Sequence, residues 1–205
     1  FSIFGEHYLV GYGNGAPVLE AWAAANPLKV ISQVYIDSKG LNADYLKQFK
    51  TMEFGGKNAN YLEIKFPEGF KKVTYDEVVL PTWYIHPDKN SISDSLNYWK
   101  NANDCVVTPV QDKTFGNVFR QKEDSTRWMT NYSGSISKVA VLEKEVDYLD
   151  KKLTQDIDDF LTYYTRYENA VAYGNQLVER ADYEKLGIEI HTMKVNGQIR
   201  EYMVY

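Results

Sequence analysis

The sequence predicts an α/β protein, a parallel sheet with helices on its faces. Three observations carry this. An apolar run at 6–10, a glycine-rich turn at 11–15, a helical stretch at 16–25 and a β-branched run at 29–36 follow one another. Two further buried-strand patterns, at 78–85 and 138–143, are each followed by a helical pattern. Two alternating runs at the C-terminus flank Asn196-Gly197. Strands joined through a helix run parallel, with a right-handed crossover. Asn-Gly between alternating strands predicts a hairpin closed by a type I′ turn.

The first unit is the most explicit. Glu6-His7-Tyr8-Leu9-Val10 is a short strand feeding the turn. Gly11, Gly13 and Gly15 at alternate positions allow a sharp bend, because glycine tolerates positive φ and close approach. In the helix from Ala16 to Ala25, Val18, Ala21, Trp22 and Ala25 are spaced i, i+3, i+4, i+7 and predict the buried stripe. Asn26-Pro27 stops the helix, since the residue before proline is pushed out of the helical region. Lys29–Ile36 is rich in β-branched residues and reads as the next strand.

Farther on, a helix is expected near Ala43–Lys50 and a strand at Tyr61–Phe66, with Gly55-Gly56, Pro67 and Gly69 as punctuation. Val78–Ile85 reads as a buried strand and His86–Asn90 as a loop. Ile92–Asn101 reads as a helix, with Ser91 or Ser93 as N-cap and Leu96 and Trp99 on one face. Residues 104–135 read as loop with short strands. Leu142, Val146, Leu149 and Leu153 have a coiled-coil-like spacing, but the alternating Val139 and Val141 favour a strand to about Glu143. A helix follows from about Leu153 to Tyr167, with Ile157, Phe160, Leu161 and Tyr164 inward. The terminal hairpin should pair Val195 with Gln198 and Ile190 with Met203, so that Ile188, Ile190, Met203 and Tyr205 share a face.

Composition narrows the function. The 205 residues are 44% hydrophobic and 25% charged, as in an ordinary globular protein. No run of about 18 apolar residues occurs, so no membrane span is expected. The net charge of −5, with no basic stripe, argues against nucleic acid as a partner. A single cysteine, Cys105, excludes an internal disulfide. One cysteine and the scattered His7, His86 and His191 make no metal-ligand spacing, and no cofactor motif is present.

The bend has the spacing of the nucleophile elbow, G-x-S-x-G, with Gly13 at the position of the serine. A glycine cannot attack an acyl carbon. The backbone N–H groups of Asn14 and Gly15, at a helix start, would still favour an anion or a carbonyl oxygen.

Three stretches carry a resemblance. They are YLVGYGNGA over residues 8–16, LPTWYIHPDKNSISDSLNYWKNANDC over 80–105, and MKVNGQIREYMVY over 193–205. Together they resemble the α/β-hydrolase fold, and more narrowly the esterases related to poly(3-hydroxybutyrate) depolymerases and feruloyl esterases. The first is similar to that family's strand, elbow and helix. The second is similar to its acid loop and a helix ending in an aromatic-Trp pair, an asparagine and a nearby cysteine. The third is similar to the hairpin that opens its domain.

The resemblance implies a serine nucleophile at Gly13, an acid at Asn90 and a histidine base in the 143–152 loop; Asp88 is the alternative acid. Gly13, Asn90 and the 143–152 loop all lack the family's residue. It implies that His86 shapes the acid loop. It also implies an order opposite to the one seen, since the family's hairpin precedes its elbow. The expectation is therefore the C-terminal part of a hydrolase module at 1–172, a linker or helix at 173–186, and at 187–205 a hairpin that opens a following module or completes the sheet. Another chain or segment would complete the sheet, and a small ester or carbohydrate would be the ligand. An extracytoplasmic setting is implied by the resemblance alone.

Overall fold

A computed structural model of the chain describes residues 7–55, 72–125, 127, 138–147, 150–164, 189–195 and 198–204. Strand β1 (His7–Tyr12) leads through one 3-10 turn, Gly13–Gly15, into helix α1 (Ala16–Ala25) and then strand β2 (Val30–Ile36). The strands pair in parallel, Tyr8 beside Ser32 through to Tyr12 beside Ile36. At the end of α1 the Asn26 side chain donates to the Trp22 carbonyl at 3.0 Å, and Pro27 opens the next turn.

Helix α2 (Ala43–Leu46) is short and continues as a 3-10 turn to Lys50. Its Asn42 cap accepts the Tyr45 N–H at 2.8 Å. Strands β3 (Glu53–Gly55) and β4 (Lys72–Thr74) form a small antiparallel pair. The strand expected at Tyr61–Phe66 lies outside the described residues. Strand β5 (Thr82–His86) starts later than the pattern at 78–85 suggests. Val78–Leu80 are buried but precede it, and Pro81, which has no N–H to give, stands before its first residue.

Helix α3 (Ser93–Ala102) buries Leu96 and Trp99 as expected. Neither Ser91 nor Ser93 caps it. Asp88 instead caps the 3-10 turn that leads into the helix, and Ser91 Oγ donates to that same carboxylate at 3.1 Å. Strands β6 (Val110–Asp112) and β7 (Gly116–Arg120) form a hairpin, followed by β8 (Lys138–Glu143) and helix α4 (Lys151–Tyr163).

The main sheet has the order β1-β2-β5-β8-β7-β6. Its first four strands are parallel, while β7 and β6 run antiparallel. The sheet is therefore mixed, where a parallel one was expected. A tight turn before β7 reverses the chain. Gly116 sits there at φ 81°, and a Cβ on it would lie 2.4 Å from the Val141 carbonyl oxygen. Asp112 Oδ1 accepts the N–H groups of Thr114 and Phe115 in the same turn.

Side chains alternate between two layers. On one side α1, α2 and α3 cover Leu9, Tyr35, Tyr84, Phe119, Val139 and Val141. On the other, α4 covers Val34, Ile36, Trp83, Ile85, Val118 and Ala140 with Leu153 and Phe160; Ile157, Leu161 and Tyr164 add partly buried contacts, as their spacing predicts.

The stripe expected on α1 is met only in part: Trp22 and Ala25 are partly buried against the core, but the most buried face lies elsewhere. Val18 is 69% exposed, and Ala16, Glu20, Ala23 and Ala24 face inward. The cause is the close approach of helix to strand. A Cβ on Gly11 would stand 2.8 Å from the Ala16 Cα and 2.9 Å from the Tyr35 ring. Only a small-residue face fits so near the sheet, so packing selects the alanines over the bulkier side.

Strands β9 (Glu189–Val195) and β10 (Gln198–Val204) form a separate two-stranded antiparallel sheet. Val195 pairs with Gln198 and Ile190 with Met203, the register read from the Asn-Gly position. Asn196-Gly197, Ile188 and Tyr205 lie outside the described residues, as does the linker expected at 173–186.

Candidate functional site

The parallel strands align Tyr12, Ile36, Ile85 and Leu142 across the sheet. The residues just beyond them, Gly13, Asp37, His86 and Glu143, therefore form a row along the carboxyl edge. Open α/β sheets bind ligands outside that edge. The bend, the His86–Asn90 loop and the 143–150 loop all leave the sheet there.

Gly13 is in the left-handed region at φ 51°, and a Cβ on it would meet nothing within 4 Å. This strand-to-helix corner lifts its central residue into open space. Gly11 is required by packing, as described above. Gly15 is not: its φ is −79° and the space around it is open. Asn14 and Gly15 are exposed at the start of the turn.

His86 is 8% exposed. Its Nδ1 accepts the Asp88 N–H at 2.9 Å, and its Nε2 lies 3.8 Å from Asp37 Oδ1. An accepting Nδ1 leaves the neutral ring's proton on Nε2, facing that carboxylate. Through the Nδ1 bond to the Asp88 N–H, the ring shapes its loop. It also stands two strands from Gly13, about 10 Å at ordinary strand spacing, beyond hydrogen-bond reach of that position. Asp37 holds φ 51°, and its N–H donates to the Ile85 carbonyl at 2.8 Å.

Asp88 is committed to its own loop. It accepts the Asn90 N–H at 2.9 Å and the Ser91 hydroxyl at 3.1 Å, and those donors hold its carboxyl below the usual range. Asn90 enters this turn through its backbone. In the 143–150 loop, Glu143 pairs with Lys89 at 2.8 Å, Lys144 with Asp150 at 3.5 Å, and the Lys144 N–H donates to the His86 carbonyl. His7 lies at the far end of β1, edge-on to Trp22. His191 lies in the hairpin, 2.8 Å from Glu189 and stacked on Tyr202.

A buried polar network behind the bend escaped the sequence reading. Glu20, fully buried, accepts the Tyr84 hydroxyl at 2.5 Å and the Trp99 indole N–H at 3.0 Å through Oε1. Its Oε2 has no hydrogen-bond partner. Burial raises its carboxyl above the ordinary range, against the hydrogen bonds that lower it. Beside it, Tyr35 donates to Gln33 at 2.6 Å, Gln33 to Thr82 at 2.8 Å, and Thr82 to the Leu80 carbonyl at 2.9 Å. Asn103 accepts the Leu80 N–H and donates to the Leu80 carbonyl, both at 2.9 Å. One signal for Glu20 was present: it lies four residues from Ala16 and Ala24 and three from Ala23, on the alanine stripe.

Cys105 is a free thiol. Burial pushes its thiol up to about 12, and its Sγ faces the Phe119 carbonyl at 3.4 Å. Among the described residues no group of three or more His, Cys, Asp and Glu is placed to hold a metal. No helix among them is long and apolar enough to cross a membrane. No family model, curated protein or solved structure matches the chain.

Proposed function

We propose that the chain is a catalytically silent module of a carboxylic-ester hydrolase, completed by another chain or segment. The observation that carries this is the bend itself. A parallel strand ends in a left-handed residue with open space above it, followed at once by a helix, and that residue is Gly13. Acyl transfer by a serine needs a hydroxyl there, a base within hydrogen-bond reach and an acid to orient the base. Gly13 has no hydroxyl, Asn90 stands where the resemblance would put the acid, Asp88 is spent on its own turn, and the 143–152 loop has no histidine.

A second reading follows from the same open space. A carbonyl or carboxylate oxygen of an acyl ester or carbohydrate would meet the N–H groups of Asn14 and Gly15, and the module would bind without cleaving. A p-nitrophenyl ester series separates the readings from an active esterase. The expected result is no turnover above the buffer rate and no labelling by a serine-directed phosphonate. Phosphonate-sensitive hydrolysis would overturn both readings. Amide NMR shifts confined to residues 13–16 on adding p-nitrophenyl acetate favour the binding module. Their absence favours a silent module whose cleft awaits its completing segment.

A further inference from the structure

We propose that Glu20 is a proton-dependent latch: carried as the neutral acid, it fastens α1, and with it the glycine bend, to β5 and α3. The inference stands on packing alone and holds whichever ligand the bend takes.

The geometry is specific. Glu20 lies on α1 two turns beyond Gly13, fully buried, with one oxygen bonded to Tyr84 of β5 and Trp99 of α3 and the other without a partner. The surrounding titratable groups cannot neutralise a charge. Tyr35 comes from β2, Tyr84 from β5 and Tyr98 from α3, and all three phenols are themselves pushed upward by burial and by this carboxyl. From the 75–77 turn packed on α1 come Tyr75, Asp76 and Glu77. Asp76 is a second carboxyl, bonded to Thr74 and Asn101, and Glu77 is taken by Arg127 at 2.9 Å. From β1, His7 stays at the exposed end against Trp22, and Lys29 after α1 is exposed. No lysine, arginine or histidine among the described residues pairs with Glu20. A carboxylate buried without a cation is far costlier than the acid. Folding therefore takes up a proton that the unfolded chain, with an ordinary carboxyl near 4.5, gives away above that pH.

The sign follows. The folded value lies above the unfolded one, so the stabilisation from this proton is complete below about 4.5 and is lost as pH rises through the folded value. Between the two values the unfolding constant rises about tenfold per pH unit from this group alone. Above the folded value a charge sits under α1, and the helix that starts at the bend loses its seat.

Two measurements test it. Infrared spectra recorded from pH 5 upward are expected to show, in the wild-type protein, the C=O band of one protonated carboxyl that persists above the pH at which ordinary carboxyls lose theirs. The band should be absent in Glu20→Gln and kept in Asp76→Asn. No such band in the wild-type protein, or one removed by Asp76→Asn instead, overturns the assignment, and the first of these outcomes needs no variant to fold. Urea unfolding from pH 5 to 8.5 is expected to show the wild-type protein losing stability relative to Glu20→Gln as pH rises. A wild-type-to-variant difference that stays constant over that window overturns the latch.

Discussion

The two faces of one sheet are built on different principles. Under α4 the core is dry: Val34, Ile36, Trp83, Ile85, Ala140, Leu153 and Phe160 meet, with Trp83, Phe115, Phe160 and Tyr164 in a run of tilted and edge-to-face ring contacts. Under α1 and α3 the core holds a carboxyl, two tyrosines, a glutamine, a threonine and an asparagine joined by hydrogen bonds. The dry face asks only for apolar volume. The polar face asks for particular partners, because a buried donor or acceptor left alone costs more than its bond contributes. The bend and its helix rest on the second face, so that face fixes their position while the first supplies bulk stability.

Substitutions can sharpen or break this contrast. The largest effect is expected on the dry face. Phe160→Ala should cost about 3–5 kcal/mol in chemical denaturation, from lost apolar burial plus the cavity left behind. At the seam between bend and helix, Gly11→Val should cost about 1–3 kcal/mol or more, since its first carbon already meets Ala16 and Tyr35 under 3 Å. Asn103→Leu, on the polar face, should cost about 1–3 kcal/mol by leaving the Leu80 N–H unpaired, while the Leu80 carbonyl keeps the Thr82 hydroxyl, despite adding apolar volume. If a leucine there were neutral or stabilising, the contrast between the faces would fail. Gly13→Ala should cost only the left-handed backbone penalty, about 1–2 kcal/mol, because nothing crowds its Cβ. Val18→Lys, on the side of α1 that periodicity marks as buried, should change stability by less than about 0.5 kcal/mol. Thermal or urea midpoints check each variant.

Legibility tracked how local each cause was. The Asn-Gly register, the β1-bend-α1-β2 unit and the inward residues of α4 depend on short-range signals: turn chemistry, β-branching and a 3.6-residue period. The rotation of α1 depends on how near it lies to the sheet, and the period placed Val18 inward where Ala16, Ala23 and Ala24 are the residues that fit. The cap of α3 was misread for a similar reason. Both serines are adequate caps by type, but α3 is entered through a 3-10 turn that Asp88 caps, and α3 itself has no side-chain cap. Around the candidate site, the bend at Gly13 was legible from the glycine spacing and the 86–90 loop from the strand pattern that ends before it. The loop-shaping role of His86 was implied by the resemblance, but the commitment of Asp88 to its own turn was not legible.

By itself the sequence determined a βαβ start, a sharp glycine corner with no side chain to attack from, and a terminal hairpin with its register. Those follow from backbone sterics and alternation, which act between near neighbours. Only the tertiary structure decided that two antiparallel strands extend the sheet, that Gly11 must stay small, and that Glu20 lies buried against Tyr84 and Trp99. Those depend on residues far apart in the chain, and no local pattern reports the distance at which a helix settles on a sheet.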